Sequence, residues 1–190
     1  MIRLTFCFFV LGSLSVYSQT SNVSVGFNVG RTSCTPASDG QHDADDEIFS
    51  ARKSTNYGGF VEYRWISLNV SHFQKGGYHH DFTYKSSHLS IAIVLRPYLK
   101  INRFEPYLNG GLRTDRLLHA DIPKYADGHD QFTVSKKATG LLYGIGLRLH
   151  FPKIFVLVEY IEDIELTNSG DARVYNASSG HTRFGIGYKL

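Results

Sequence analysis

The chain is poor in the residues that specify several large classes of protein. It has two cysteines, one tryptophan, one methionine and five prolines in 190 residues. Cys7 lies in the N-terminal apolar stretch, so a processed chain would keep Cys34 alone, which excludes an intramolecular disulfide and a cysteine metal site. Cys34 itself is expected to be an ordinary loop residue. Charge of one sign is also scarce. Twenty Lys and Arg stand against 17 Asp and Glu, for a net +3, and the basic residues are scattered, so no nucleic-acid surface is expected. Past residue 19 no stretch approaches 18 consecutive apolar residues, which excludes a helical membrane span there.

Aromatics and glycine are plentiful, with 13 Phe, 12 Tyr and 18 Gly, a composition that favours strands and tight turns. The first residues have a separate pattern. Arg3 precedes the apolar run Leu4 to Leu14, and Val16-Tyr17-Ser18 offers a processing site before Gln19. Residues 1–18 are expected to be a cleaved export signal and 19–190 a single domain.

That domain alternates with a period of two in eight runs. In Asn22 to Arg31, Val23, Val25, Phe27 and Val29 share one face. In Asn56 to Trp65, Tyr57, Val61, Tyr63 and Trp65 oppose Gly58, Phe60, Glu62 and Arg64. Ser67 to Lys75, Ser87 to Leu99 and Phe104 to Leu118 follow. In Thr139 to Phe151, Leu141, Tyr143, Ile145, Leu147 and Leu149 oppose Gly144, Gly146, Arg148 and His150. Ile154 to Glu165 and His181 to Leu190 complete the set. Short links at Ile66, Lys100 to Arg103 and Pro152-Lys153 alternate with long ones at 32–55, 76–86, 119–138 and 166–180.

The pattern predicts an all-β, eight-stranded antiparallel up-and-down barrel in the bacterial outer membrane, with short periplasmic turns and long external loops. A lipocalin-like barrel would bury the apolar face instead. Lipid outside is favoured by aromatics at strand ends (Tyr57, Trp65, Tyr143, Phe151, Tyr188) and by charges on the opposite face. Ile145 is thus expected to face lipid and Gly146 the lumen, where a serine should be tolerated. An eight-stranded lumen is just wide enough to be filled by side chains. Glu62, Arg64, Arg96, Glu105, Arg113, Arg148, Glu159 and Arg183 are expected to point into it. Glu159 is predicted as the hub of a structural Arg148–Glu159–Arg183 plug, with Glu62 and Arg64 in the same charge cluster.

Four segments carry a likeness to a known family. Ile66 to Gly77 ends in an aromatic-x-Lys-Gly pattern. His88 to Leu99 is followed by Glu105-Pro-Tyr-Leu-Asn-Gly-Gly111, where a Pro-Tyr pair precedes a glycine-bearing strand, and Arg183 to Leu190 closes the chain. Together they resemble the PorT-type outer-membrane β-barrel family of Bacteroidota-like bacteria. The resemblance implies fold and location and supplies no catalytic residues.

Histidine and acid cluster in the long links. His42-Asp43-Ala44-Asp45-Asp46-Glu47, His79-His80-Asp81, and His119, Asp121, His129 and Asp130 have metal-ligand residue types. Solvated loops account for them equally, and neither a metal nor another cofactor is assigned. His88 with Ser86 or Ser87, and His181 with Ser178 or Ser179, could pair a base with a nucleophile, but without the spacing of a barrel enzyme. The expected function is non-enzymatic, as a structural element or a scaffold for external loops. The alternatives are a narrow solute or ion channel and a lipid-modifying hydrolase or acyltransferase. Expected partners are outer-membrane lipid, the barrel-assembly machinery through the C-terminal strand, and external proteins or glycans through the loops.

Overall fold

A computed structural model of the chain describes residues 23–38, 50–79, 82–121, 136–168 and 174–190. The expected export signal and most of the loop His and Asp clusters lie outside them. Eight antiparallel strands close in chain order: β1 (Val23–Ser38), β2 (Ser50–Tyr63), β3 (Ile66–His79), β4 (Phe82–Leu95), β5 (Phe104–Asp121), β6 (Lys137–His150), β7 (Ile154–Asn168) and β8 (Val174–Lys189). The barrel shuts where β8 pairs with β1, in a register running from Ser24 opposite Lys189 to Ser38 opposite Val174.

The apolar face is the outer one. Phe27, Val29, Val61, Leu68, Ile93, Leu108, Ile145, Val158 and Ile186 are all exposed there, while the lumen holds Asn28, Asn56, Glu62, Asn69, Glu105 and Arg148 in burial. Trp65, Phe104, Phe151 and Tyr188 ring the short-turn end of this band, and Tyr57, Tyr143 and Tyr160 lie toward the other. The lumen also contains apolar clusters, Phe60 with Phe155 and Leu157, and Ala92 with Val94, Leu142 and Ile161.

The strands run well past the boundaries expected from alternation. β1 and β2 stay paired through Cys34 opposite Arg52, and β3 and β4 through His79 opposite Phe82. Alternation of hydrophobicity fades there because both faces are polar. Arg31 and Ser33 point outward while Thr32 points inward, so the strand continues without an apolar contrast to mark it. Cys34 is accordingly a buried strand residue and not a loop residue.

Arg64 also departs from expectation. β2 ends at Tyr63, and Arg64-Trp65 forms a two-residue hairpin loop in which Arg64 has φ 56°. That left-handed backbone suits the twist of a tight hairpin and takes Arg64 out of the alternation. Its side chain is exposed, with the guanidinium 5.4 Å from the Tyr63 ring, so it is no part of the lumen cluster.

Gly146 faces the lumen but is not a tolerant position. A Cβ there would fall within 2.2 Å of the Tyr107 ring. The outward-facing Gly110 meets nothing within 4 Å and is the proper control. Ile145→Arg, in the middle of the apolar band, is expected to cost about 2–4 kcal/mol of folding free energy in lipid vesicles, and Gly110→Ala almost nothing. Equal unfolding midpoints for the two variants would place the apolar face elsewhere than in lipid.

Candidate functional site: the charged lumen

The short turn Pro152-Lys153 sets His150 opposite Phe155, so counting up the two strands puts Arg148 opposite Leu157 and Gly146 opposite Glu159. Glu159 therefore stands one inward step above Arg148. Its register partner on β8 is Arg183, with Nη1 3.7 Å from Oε1. Its other ligands come from across the lumen. Arg96 Nη2 lies 3.4 Å away, and the Tyr107 hydroxyl donates to Oε2 at 3.1 Å. The ring of Tyr107 fills the space that Gly146 leaves open.

Arg148 is held by other carboxylates. It donates to both oxygens of Glu62, at 2.7 and 2.5 Å, and to Glu105 at 2.9 Å. Arg96 Nη1 donates to the same Glu62 at 3.0 Å. The predicted Arg148–Glu159 pair is thus replaced by Arg148–Glu62, and Glu62 bridges two guanidiniums. Flat rings complete the packing. Arg148 lies over Tyr107 and Phe155, and Arg96 over Phe60, arrangements in which the ring faces attract the cations. This lower layer pairs Arg96, Arg148 and Arg183 with Glu62, Glu105 and Glu159, all six buried.

A second layer lies nearer the long-loop end, and of its members only Arg113 was expected in the lumen. Arg113 meets Asp115 at 2.5 Å and Asp163 at 3.0 Å, and Lys75 meets Glu165 at 3.2 Å. His181 Nε2 is 2.6 Å from Asp163, while Nδ1 is 2.8 Å from the Thr32 hydroxyl, which also accepts from the Asn56 amide at 2.9 Å. A carboxylate can only accept, so Nε2 carries the proton to Asp163, and Nδ1 accepts from Thr32. The two-residue period of the expected runs already turns Lys75, Arg113, Asp115, Asp163 and His181 inward. Thr32 alone lies outside the expected runs, one residue past Arg31, where no apolar face marks the strand.

Thr32–His181–Asp163 has the connectivity of an activated hydroxyl, but Thr32 has no exposed surface. The space beside His181, walled by Asn69, Ser90, Leu142 and Arg183, is about 20 Å³, which is room for about one water. His181 thus engages Thr32 and not Ser179, and the side chain of Ser178 lies outside the described ones. The Ser86 hydroxyl and His88 Nε2 do meet, at 2.9 Å, but both are buried and Phe73 stacks on the imidazole. Among the described residues no three His, Cys, Asp or Glu side chains come together in a metal-holding group.

The sequence pattern of the outer membrane protein beta-barrel domain matches residues 4–189. Among solved structures, the fold is similar to Neisserial surface protein A, at 17% identity over 91% of this chain and 100% of that one, with a TM-score of 0.60. It is also similar to Ail, the attachment invasion locus protein of Yersinia pestis, at 15% identity over 89% and 99% of the two chains, with a TM-score of 0.43. No curated protein matches the chain in sequence.

Proposed function

The chain belongs to the outer membrane protein beta-barrel domain family, and from that membership we propose that it serves the envelope as a non-enzymatic, closed barrel that scaffolds its external segments. The observation that carries this reading is the lumen. Among the described residues, two layers of paired charge are separated by side-chain packing, and the space beside His181 is about 20 Å³. A hydrated ion needs a continuous wet path, and guanidiniums locked between carboxylates on facing strands do not provide one. The same closure argues against a hydrolase or acyltransferase, since Thr32 and His181 have no route to a substrate.

Within the family, the segments Ile66 to Gly77 and Arg183 to Leu190 support a place among PorT-type barrels. Residues 1–18 are proposed to act as the export signal, β8 as the strand offered to the barrel-assembly machinery, and the external segments as contacts for proteins or glycans. Planar-bilayer recording of the folded chain tests the closed-barrel reading. The expected trace is silent at physiological salt. Reproducible unitary steps that persist after repurification would replace the scaffold with a channel.

A further inference from the structure

We propose that the outer wall of β8, β1 and β2 binds the phosphate group of an outer-leaflet glycolipid. A concavity of about 610 Å³ opens on this wall at the upper border of the apolar band. The strand registers order its lining in rows. In the uppermost, Ser33 lies between Lys53 and Gly180; in the next, Arg31 lies between Thr55 and Thr182; below that, Val29 lies beside Phe184. Going toward the short-turn end, the wall changes from cations and hydroxyls to hydrocarbon, the order in which a phosphorylated lipid presents its headgroup and chains.

The two cations are uncommitted among the described residues. Arg31 and Lys53 are exposed on adjacent strands, with neither an ion pair nor a side-chain hydrogen bond to a described residue. The outward acid nearest in register, Glu162, lies beside Gly180 and accepts from the hydroxyls of Tyr143 at 2.6 Å and Tyr160 at 2.9 Å. Gly180 keeps the wall hollow, since a Cβ there would stand 3.0 Å from the Tyr160 hydroxyl. A guanidinium fork with an adjacent ammonium and hydroxyls suits a phosphate. The site lies toward the long-loop, external end of the barrel, so the lipid within reach is that of the outer leaflet.

The test titrates the folded full chain in detergent with diphosphoryl lipid A, with the same glycolipid stripped of phosphate, and with inorganic phosphate, read by native mass spectrometry. Diphosphoryl lipid A is expected to bind about tenfold or more tighter than the stripped form, the scale of one or two charge-assisted hydrogen bonds. Arg31→Glu with Lys53→Glu is expected to abolish that preference, while Lys100→Glu at the opposite end leaves it intact. Retained heat-modifiable gel mobility establishes that each variant is folded. Equal binding of both glycolipids, or an unchanged preference in the double variant, would overturn the proposal. Inorganic phosphate binding as tightly as lipid A, with the same dependence on Arg31 and Lys53, would assign the site to a free anion and overturn it as well.

Discussion

Removal of Phe184 to Leu190 is expected to abolish the folded barrel. Those seven residues supply the lower half of the seam. Phe184 pairs with Val29, Ile186 with Phe27 and Tyr188 with Val25, and the Leu190 amide donates to the Val23 carbonyl at 3.0 Å. On the other side they pair with Val158, Val156 and Ile154 of β7. Deletion would open two strand edges within the apolar band, where no water can satisfy the released amides and carbonyls, at several kcal/mol for each group. No local rearrangement compensates, because closure in chain order leaves β1 and β7 without alternative neighbours. The heat-modifiable band in unboiled gel samples should disappear. Its survival in the truncated chain would mean that the barrel closes by another pairing.

Glu62→Ala is expected to lower stability by about 3–5 kcal/mol, the range found when one partner of a buried ion pair is removed. Glu62 is buried and holds two guanidiniums at once, Arg148 through both oxygens and Arg96 through one. After truncation Arg148 would keep only Glu105 as a carboxylate partner, and Arg96 only the longer contact to Glu159 at 3.4 Å. Glu62→Gln preserves volume and an acceptor, so its loss should be smaller. Arg64→Ala, two residues away in sequence but outside the lumen, should move the midpoint by no more than about 0.5 kcal/mol, as for most exposed positions. Denaturant unfolding in lipid vesicles measures all three. A Glu62→Ala midpoint equal to the parent's would show that the lower layer does not hold the barrel together.

Strand number, up-and-down order and the lipid-facing side were legible in the sequence because a half-buried strand must alternate. Leu141, Tyr143, Ile145 and Leu147 announce their face without reference to any partner. The inward direction of Glu62, Arg148, Glu159 and Arg183 follows from the same period. So does the Glu159–Arg183 neighbourhood, which needs only two consecutive strands and their register.

Which carboxylate holds which arginine was decided by the tertiary structure. Pairing within a hairpin depends on the turn, and Pro152-Lys153 puts Glu159 beside Gly146 and not beside Arg148. Pairing across the lumen depends on closure of the whole wall, which alone brings Glu62 of β2 to Arg148 of β6. The upper layer was only partly legible, for a different reason. Where a strand leaves the apolar band both of its faces become polar, and hydrophobic period loses its contrast while the hydrogen-bonded ladder continues. Thr32 lies in that zone, one residue past its alternating run. Asp163 and His181 fall near the ends of theirs, and His181 meets Thr32 only through closure of the wall. Alternation therefore determined the fold and its orientation, because burial of apolar surface is a local demand on each strand. The ionic partners in the lumen are contacts between strands distant in sequence, and only the closed ring of eight strands selects among them.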